Sequence, residues 1–493
     1  MTTISLSLVS HTNVGKTTLA RTLLGRDVGE VRDEAHVTES AEAELLIETQ
    51  APDSDRLMLW DTPGFGDSLR LAKRMAQAGN PIGWLLTEVW DRWRDRAFWS
   101  SQRALTHVWN ECDVVLYLVD ASQAPQDLGY LDAELQVLSL TGKPAIVLLN
   151  QLGEPGHAGE AELEAVWRAR LAHAKGVHAV LPLDAFSRCW VQEGVLWQAV
   201  APLLPSAQQA AFARLKAAWQ ARQLTRWRTS MAELAQRLAL ATLDVQTVES
   251  DGWRGAARGI GDRFARVLGL RDDDANAPQQ RAMVQLAERL DSIVKASTDT
   301  LIRLHGLAGR ASGEVLAKLA QHYALRAPVD EGRAAIWGGM ITGALAGFKA
   351  DVATGGLTLG GGLLAGGVMG ALAAAGAARG VNLVRGVSRP EVRWDARVLD
   401  ALFASALLGY LAVAHHGRGR GAWVTQEPPP AWVAAVDAAM QMQRNALQAL
   451  WGVDRGSTTA EALTASLQAL LETACRDVLA RLYPHAPIPA ATS

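Results

Sequence analysis

The sequence predicts an α/β domain, with a mostly parallel sheet and helices on both faces, followed by an all-α domain. Over residues 1–205, apolar runs rich in Val, Ile and Leu alternate with helical patterns, which is typical of parallel strands buried on both faces. From about Ser206 the strand patterns stop and long helical periodicity takes over. We therefore place the first domain at residues 1–205 and a helical effector domain at residues 206–493.

The strands of the first domain are predicted from five apolar runs and one edge segment. The five runs are Ile4–Val9, Leu57–Trp60, Val114–Val119, Ala145–Leu149 and Val177–Leu183. The Leu45–Thr49 segment is expected to add the edge strand. Pro202 and Pro205 close the region, because proline interrupts both helices and central strands. In the second domain, residues 391–416 are expected to form one helix and residues 431–484 two more.

Composition limits the classes of partner and compartment. The net charge is −3, the pI is near 6.4 and no block of Lys and Arg occurs, so there is no strong nucleic-acid signal. The three cysteines, Cys112, Cys189 and Cys475, lack metal-ligand spacing, and so few cysteines suit a reducing cytoplasm. The N-terminus runs directly into a strand pattern without the features of a signal peptide, so we expect a cytoplasmic protein.

A candidate phosphate-binding loop follows the first strand. The segment SHTNVGKTT matches the pattern G-x-x-x-x-G-K-[ST] at every position but the first, where Ser10 replaces glycine. In such a loop backbone N–H groups surround the β-phosphate, Lys16 reaches the β- and γ-phosphates, and the Thr17 hydroxyl ligates Mg²⁺. The predicted nucleotide-binding residues here are Ser10, His11, Thr12, Asn13, Val14, Gly15, Lys16, Thr17 and Thr18.

Two further segments complete the predicted triphosphate site. Asp61-Thr62-Pro63-Gly64 ends a strand about 45 residues after the lysine, so Asp61 can hold Mg²⁺ through water and the Gly64 N–H can sense the γ-phosphate. Between the two motifs lies a polar stretch, 27–40, in which Thr38 is our candidate to bind Mg²⁺ and the γ-phosphate only in the triphosphate state. An ordinary solvated loop threonine is the alternative at that position.

With these elements in order, the first 200 residues resemble the Era and TrmE branch of translation-factor-related GTPases. The whole chain also looks like a bacterial family that joins such a domain to a helical C-terminal domain of unknown function. The residues that carry the resemblance are SHTNVGKTTL at 10–19, DTPGFGDS at 61–68, the NPIGW and WDRWRDRAFW stretches at 80–99, and LLNQLG at 148–153. The resemblance implies GTP and GDP as ligands, Mg²⁺ as cofactor and GTP hydrolysis as the reaction.

The base-reading segment departs from that family. The resemblance places Asn150 and Gln151 in a loop that reads guanine, but Gly153 stands where these GTPases have an Asp. Losing a charged acceptor would cost about 1.5–3 kcal/mol of discrimination. Asp184-Ala185 fits the position of a short loop behind the base, and we hypothesise that Asp184 compensates for the missing carboxylate.

The residues at the predicted catalytic positions also differ from the usual GTPase pattern. Phe65 follows the Asp61–Gly64 motif and cannot orient a water molecule, and the resemblance implies a hydrophobic residue there in Era-like and TrmE-like relatives too. The resemblance places Asn13 where potassium-activated relatives bind K⁺, although a purely loop-shaping role is equally open. We therefore assign catalysis to Lys16, Thr38, Gly64 and Asn13, and expect slow hydrolysis that K⁺ or assembly stimulates.

A tryptophan-rich insert occupies residues 67–112, about twice the length that a small GTPase needs there. Two interpretations are open. In the first, the extra residues are a helical hairpin packed against the sheet. In the second, the insert extends the switch region that follows Asp61 and transmits the nucleotide state to the helical domain, a partner or a membrane. The five tryptophans are Trp84, Trp90, Trp93, Trp99 and Trp109.

Residues 334–386 are rich in Gly and Ala and almost free of charge. Glycines recur there at every fourth position in two sets, which predicts two helices with small-residue ridges that can pack closely. The sets are Gly339, Gly343, Gly347 and Gly362, Gly366, Gly370. We expect a glycine-zipper hairpin that either packs tightly within the domain or contacts membrane lipid or a membrane protein. Self-association is a further expected mode of contact.

These features predict a GTP-hydrolysing switch at the cytoplasmic face of the inner membrane, attached peripherally or integrally. A soluble Era-like assembly GTPase that acts on RNA or the ribosome is the first alternative. A nucleotide-binding scaffold with negligible turnover is the second, and the departures at Phe65 and Gly153 keep it open.

Overall fold

The structure is a computed structural model that describes residues 1–25, 41–81, 83–84, 95–152, 160–185, 189–247, 278–307, 381–384, 391–394, 396–416, 429–453 and 458–488. The chain divides into two compact units, and the change between them falls at Leu224/Thr225. The first unit also includes short segments that begin at His415 and His485.

The first unit contains a six-stranded sheet with helices between its strands. The strands are β1 Thr3–Ser10, β2 Glu42–Glu48, β3 Arg56–Asp61, β4 Val114–Asp120, β5 Ala145–Asn150 and β6 Val177–Pro182. The helices are α1 Lys16–Leu24, α2 Ser68–Gln77, α3 Arg96–Glu111, α4 Leu131–Leu140, α5 Glu160–Leu171 and α6 Trp190–Val200, followed by a short 3₁₀ turn at Ala201–Leu203. All six predicted strands are present.

The sheet has the strand order β2-β3-β1-β4-β5-β6. Strand β2 runs antiparallel to β3, and the other neighbours are parallel. The central strands β1, β4 and β5 are buried almost throughout, because helices cover both faces of a parallel sheet. The prediction of a mostly parallel α/β domain is therefore confirmed, including the edge position of β2.

Helix α7, Ser206–Leu243, is a single helix of 38 residues. Its first part belongs to the first unit, where the Arg214 guanidinium donates two hydrogen bonds to Asp55 Oδ2, at 2.9 and 2.6 Å. The Trp219 ring also meets Trp197 of α6 edge-on, with ring centroids 6.0 Å apart. The predicted domain boundary after residue 205 coincides with the start of this helix and stays a prediction.

The second unit is mainly helical over its described residues, as predicted. It contains the later part of α7 and the helices α8 Pro278–Leu304, α9 Ala396–Ala414, α10 Pro430–Met442, α11 Arg444–Trp451 and α12 Ala460–Leu482. The sequence predicts two helices over residues 431–484, and the structure has three there, α10, α11 and α12. None of the helices in the described part of the chain is long and apolar enough to cross a bilayer.

A small antiparallel sheet corrects the expectation that this half is purely helical. Its strands are β7 Val245–Thr247, β8 Val381–Val384 and β9 Glu391–Trp394, in the order β7-β9-β8. The helix predicted over 391–416 begins only at Ala396. Strands of three or four residues are too short for a periodic pattern, and β7 pairs with a strand far away in sequence. Such a pairing depends on tertiary context rather than on local sequence.

The predicted glycine-zipper hairpin at 334–386 lies outside the described residues except for Val381–Val384. Those four residues form a strand rather than the end of a helix. The rest of the hairpin stays a prediction.

Arg237 is a buried cation in the second unit. Its Nη1 lies 3.4 Å from Ser297 Oγ, whereas Nε and Nη2 are buried without a hydrogen-bond partner among the described residues. Burial lowers the pKa of Arg237 to about 10, and the charge of Glu233 opposes this shift. A buried charge without full compensation destabilises a fold.

We therefore expect Arg237→Met to raise the free energy of unfolding by about 1–4 kcal/mol, because the apolar chain fills the same space without desolvating a charge. Urea denaturation of the full chain measures the change. Arg444→Met is the matched control, since Arg444 is exposed and its replacement should change stability little. A less stable Arg237→Met protein would contradict the prediction.

Candidate nucleotide site

The candidate site lies where the parallel strands of the first unit end. Ser10 ends β1, Asp61 ends β3 and Asn150 ends β5. Because parallel strands present their carboxyl ends at one edge of the sheet, residues far apart in sequence meet there. The structure brings the predicted phosphate loop, the Asp61 motif and the Asn150 segment together at this edge.

The phosphate loop, Ser10–Lys16, turns through two residues in the left-handed region. Asn13 has φ 64° and Gly15 has φ 100°. A side chain at Gly15 would also begin 2.8 Å from the amide nitrogen of Asn150, so glycine is required there by both conformation and space. Asn13 thus shapes the loop, because asparagine tolerates this region better than most residues. Its role as a K⁺ ligand stays a prediction.

Ser10 replaces the first glycine of the usual pattern without strain. It belongs to β1 and has an extended backbone, so the conformational freedom of glycine is not needed. Its hydroxyl donates to the carbonyl oxygen of His11 at 2.5 Å and accepts a hydrogen bond from Lys16 Nζ at 3.0 Å. Burial lowers the pKa of Lys16, and the charges of Asp61 and Glu134 oppose that shift.

Thr17 and Asp61 form the candidate magnesium position. The Thr17 hydroxyl donates to Asp61 Oδ2 at 2.5 Å, and the other carboxylate oxygen of Asp61 is buried without a hydrogen-bond partner among the described residues. Burial raises the pKa of Asp61, and the Lys16 charge opposes the shift. An unsatisfied carboxylate oxygen beside a hydroxyl is the hard oxygen donor set that Mg²⁺ prefers. The residues present therefore fit the ion.

The Asp61–Phe65 segment lies directly on the phosphate loop. The Phe65 N–H donates to the Ser10 carbonyl oxygen at 2.9 Å, and the Thr12 N–H donates to the Phe65 carbonyl oxygen at 3.2 Å. At Gly64 an added Cβ would lie 3.0 Å from Thr12 Cα and 3.1 Å from Lys16 Nζ. The Phe65 ring is fully buried in the core, which agrees with the prediction that it does not orient water.

Asn150 connects three loops from a fully buried position. Its amide nitrogen donates to the Val14 carbonyl oxygen at 2.7 Å, and its amide oxygen accepts from the Ala185 N–H at 2.8 Å. The Asp184 Oδ2 atom accepts from the Leu152 N–H at 3.0 Å. Asn150 and Asp184 therefore hold together the phosphate loop and the loops that follow β5 and β6.

Several predicted features lie outside the described residues. They are Thr38 and the stretch 27–40, Gly153, Trp90 and Trp93. Gln151 is described and has φ 59°. Thr18 is buried in α1, and its contribution to the site stays a prediction.

The described tryptophans of the insert have different surroundings. The rings of Trp84 and Phe98 meet edge-on, with centroids 6.5 Å apart. The Arg103 guanidinium carbon lies 5.9 Å from the ring centroid of Trp99. Trp109 is exposed. Part of the insert thus packs as a core element and part faces solvent, so both interpretations of the insert stay open.

Sequence reasoning missed Glu134 of α4. Its carboxylate is fully buried and forms hydrogen bonds with His11 and Tyr117, and Ser68 also lowers its pKa. The available signal was its position: Glu134 lies on the same helix face as Leu131, Leu135 and Leu138, all of which are buried. A carboxylate on the apolar face of a helix costs energy unless it has partners, so it is a candidate for a special role.

Comparison with known sequences decides the class of this site. Residues 5–151 match a family model described as 50S ribosome-binding GTPase. The N-terminal domain is a P-loop GTPase domain. Residues 317–483 match a second model, described as a domain of unknown function, DUF3482. No curated protein matches the chain.

Solved structures of GTP-binding proteins are also similar to this chain. One is a point variant of Aquifex aeolicus Era bound to GDP·AlF₄⁻, with 14% identity and a TM-score of 0.30 over 63% of this chain and 100% of that chain. Another is Era in complex with MgGDPNP and nucleotides 1506–1542 of 16S ribosomal RNA, with 15% identity, a TM-score of 0.30 and the same coverage. A probable GTP-binding protein engB has 15% identity and a TM-score of 0.26, over 40% of this chain and 97% of that chain.

Proposed function

We propose that the N-terminal domain binds GTP with Mg²⁺ and hydrolyses it slowly, as a switch whose output is the helical domain. The observation that carries the proposal is the pairing of Thr17 with Asp61 beside the buried Lys16 ammonium. One Asp61 oxygen there has no hydrogen-bond partner among the described residues. These are the groups that triphosphate and Mg²⁺ need, and they lie in a domain that matches GTPases.

Each residue has a distinct proposed role. Lys16 would leave Ser10 and neutralise the β- and γ-phosphates, while loop N–H groups bind the β-phosphate. Thr17 and Asp61 would hold Mg²⁺, Asp61 through water, and the ion would neutralise charge that develops on the phosphates. Thr38 would join the ion in the triphosphate state. The Gly64 N–H would bind the γ-phosphate, and the close approach to Thr12 would fix its position.

The chemistry is proposed to be slow because Phe65 is buried and offers no water-orienting group. A K⁺ ion held by Asn13 would supply the positive charge that other GTPases take from an arginine finger. Self-assembly is the other proposed activator.

Guanine preference is proposed from the family match and from the resemblance to Era-like and TrmE-like GTPases. Asn150 stands at the base-reading position, although both polar atoms of its side chain already contact Val14 and Ala185. Asp184 already accepts one hydrogen bond from the Leu152 N–H. Its proposed compensation for Gly153 would add a contact between the same carboxylate and the base.

The proposed place of action is the cytoplasmic face of the inner membrane, through residues 334–386. The glycine-rich composition of that segment, which has only four charged residues, supports contact with lipid or a membrane protein. Action on RNA or the ribosome is the second candidate. The description of the matched GTPase family favours it, whereas the net charge of −3 does not.

GTP turnover by the full chain tests the proposal. We expect measurable hydrolysis with Mg²⁺ that is faster in K⁺ than in Na⁺ and that rises further with anionic liposomes. Asn13→Gly keeps the left-handed backbone and removes the proposed K⁺ ligand, so it is expected to abolish the preference for K⁺ while Mg²⁺-dependent binding persists. Equal rates in K⁺ and Na⁺ would exclude the cation role. Rates unchanged by liposomes but raised by RNA would favour the second candidate.

A further inference from the structure

Glu134 joins the two segments that approach the phosphates. Its Oε1 lies 2.7 Å from Nδ1 of His11 in the phosphate loop, and its Oε2 accepts a hydrogen bond from the Tyr117 hydroxyl at 2.7 Å. Ser68, which is buried, also favours the charged form of Glu134 and lowers its pKa. Ser68 is the first residue of α2 and follows the Asp61–Asp67 stretch directly. One carboxylate therefore forms hydrogen bonds with the phosphate loop and the central strand β4, and it lies on a helix that packs against α2.

The surroundings of this carboxylate hold His11 in one orientation. The His11 ring stacks on Tyr130 with centroids 4.0 Å apart and an interplanar angle of 8°. Its Nδ1 atom is fixed by Glu134, four residues after Tyr130. Burial raises the pKa of Glu134, and its interactions with His11, Tyr117 and Ser68 oppose the shift. These partners thus offset part of the desolvation cost of the buried carboxylate.

Several described contacts fix the segment between the phosphate loop and α2. Phe65 pairs with Ser10 and Thr12, and Asp67 caps α2 through the Arg70 N–H. The Gly66 N–H donates to Ser101 Oγ at 3.0 Å, and α2 packs against α3 and against α4, the helix that carries Glu134. A small shift of α2 relative to the loop would move Gly64, which already lies against Thr12.

We propose that Glu134 is a positioning residue of the GTPase reaction. It holds the phosphate loop, through His11, and the start of α2, through Ser68, in the single arrangement that hydrolysis requires. Binding of GDP does not need the start of α2, so it is expected to depend much less on this link than hydrolysis does. The inference rests on the proposed GTPase function and adds a residue to its machinery.

Single-turnover GTP hydrolysis and GDP affinity, measured on the full chain, test the inference. Glu134→Gln keeps the shape and removes the charge, and His11→Ala and Ser68→Ala each remove one partner. We expect Glu134→Gln to slow hydrolysis about tenfold, because misplaced reacting groups cost rate steeply, with GDP affinity within about twofold of wild type. The double variant His11→Ala/Glu134→Gln is expected to be no slower than Glu134→Gln alone, since residues that act as one unit are not additive.

Glu162→Gln is the matched control, because Glu162 is exposed on α5, and it should leave both readouts unchanged. Wild-type hydrolysis that persists unchanged in Glu134→Gln would overturn the inference while the proposed function stands. Additive losses in the double variant, or a parallel loss of GDP affinity and melting temperature, would show a merely structural role and also overturn it. If Glu134→Gln does not fold, the single variants Ser68→Ala and His11→Ala and their double variant provide the same test of additivity. A wild-type chain without turnover would overturn the proposed function and the inference with it.

Discussion

Lys16→Ala is expected to weaken GTP binding by about 100-fold, or about 2.7 kcal/mol, because charge-assisted hydrogen bonds to phosphate are among the strongest polar contacts. The Lys16 ammonium is buried, and its Nζ lies 3.0 Å from Ser10 at the end of β1. Alanine at this position removes the one cation that the motif directs at the phosphates. Titration of a fluorescent GTP analogue against the full-length variant measures the loss.

Lys175→Ala is the control for this prediction. Lys175 is an exposed lysine in the segment before β6, so its loss changes the net charge equally without touching the site. Thermal denaturation of both variants shows whether the fold persists. GTP affinity in Lys16→Ala equal to that of the control would exclude the phosphate role of the lysine.

Gly64→Ala is expected to reduce GTP hydrolysis by about 100-fold, because a misplacement of about 1 Å near the reacting groups can cost that much. The added Cβ would lie 3.0 Å from the Thr12 backbone and 3.1 Å from Lys16 Nζ. Backbone cannot yield as a flexible side chain can, so the segment after Asp61 must move away from the phosphate loop. GDP affinity should fall much less, because GDP has no γ-phosphate to contact Gly64. Single-turnover hydrolysis and GDP titration separate the two effects.

Gly79→Ala is the matched control for Gly64→Ala. Gly79 lies just after α2, and a Cβ there would meet nothing within 4 Å. Its substitution should therefore leave hydrolysis unchanged. A Gly64→Ala protein that hydrolyses GTP at the wild-type rate would show that the close contact with Thr12 is unimportant for the reaction.

The strands and the phosphate site were predictable because their signals are local. Buried parallel strands are continuous apolar runs, and the phosphate loop is a contiguous motif between a strand and a helix. Asp61 was predicted in the same way, as a polar residue at the end of a strand. The structure places it against Thr17, as the motif requires.

Ser10 shows where the pattern misleads. The pattern has glycine at this position, but Ser10 is the last residue of β1 and needs no glycine conformation. A motif alone does not show which of its glycines are needed for a left-handed backbone and which are needed only because a side chain would not fit. Gly15 is needed for both, since it has φ 100° and faces Asn150.

Glu134 and the small sheet of the second unit were not predicted, because both depend on contacts between distant residues. The partners of Glu134 come from the phosphate loop, α2 and β4, and only the fold brings them together. Strand β7 likewise forms because β9 lies beside it. Neither pairing leaves a periodic pattern in the sequence.

Competition among GTP, ATP and XTP for the site tests the central claim most directly. With Mg²⁺ present, unlabelled GTP should displace a fluorescent GTP analogue from the wild-type chain at a concentration at least about tenfold below that of ATP or XTP, a difference of about 1.4 kcal/mol. Lys16→Ala should show no comparable binding. Equal displacement by ATP would contradict guanine selection, and no Mg²⁺-dependent binding of any triphosphate would contradict the nucleotide site itself.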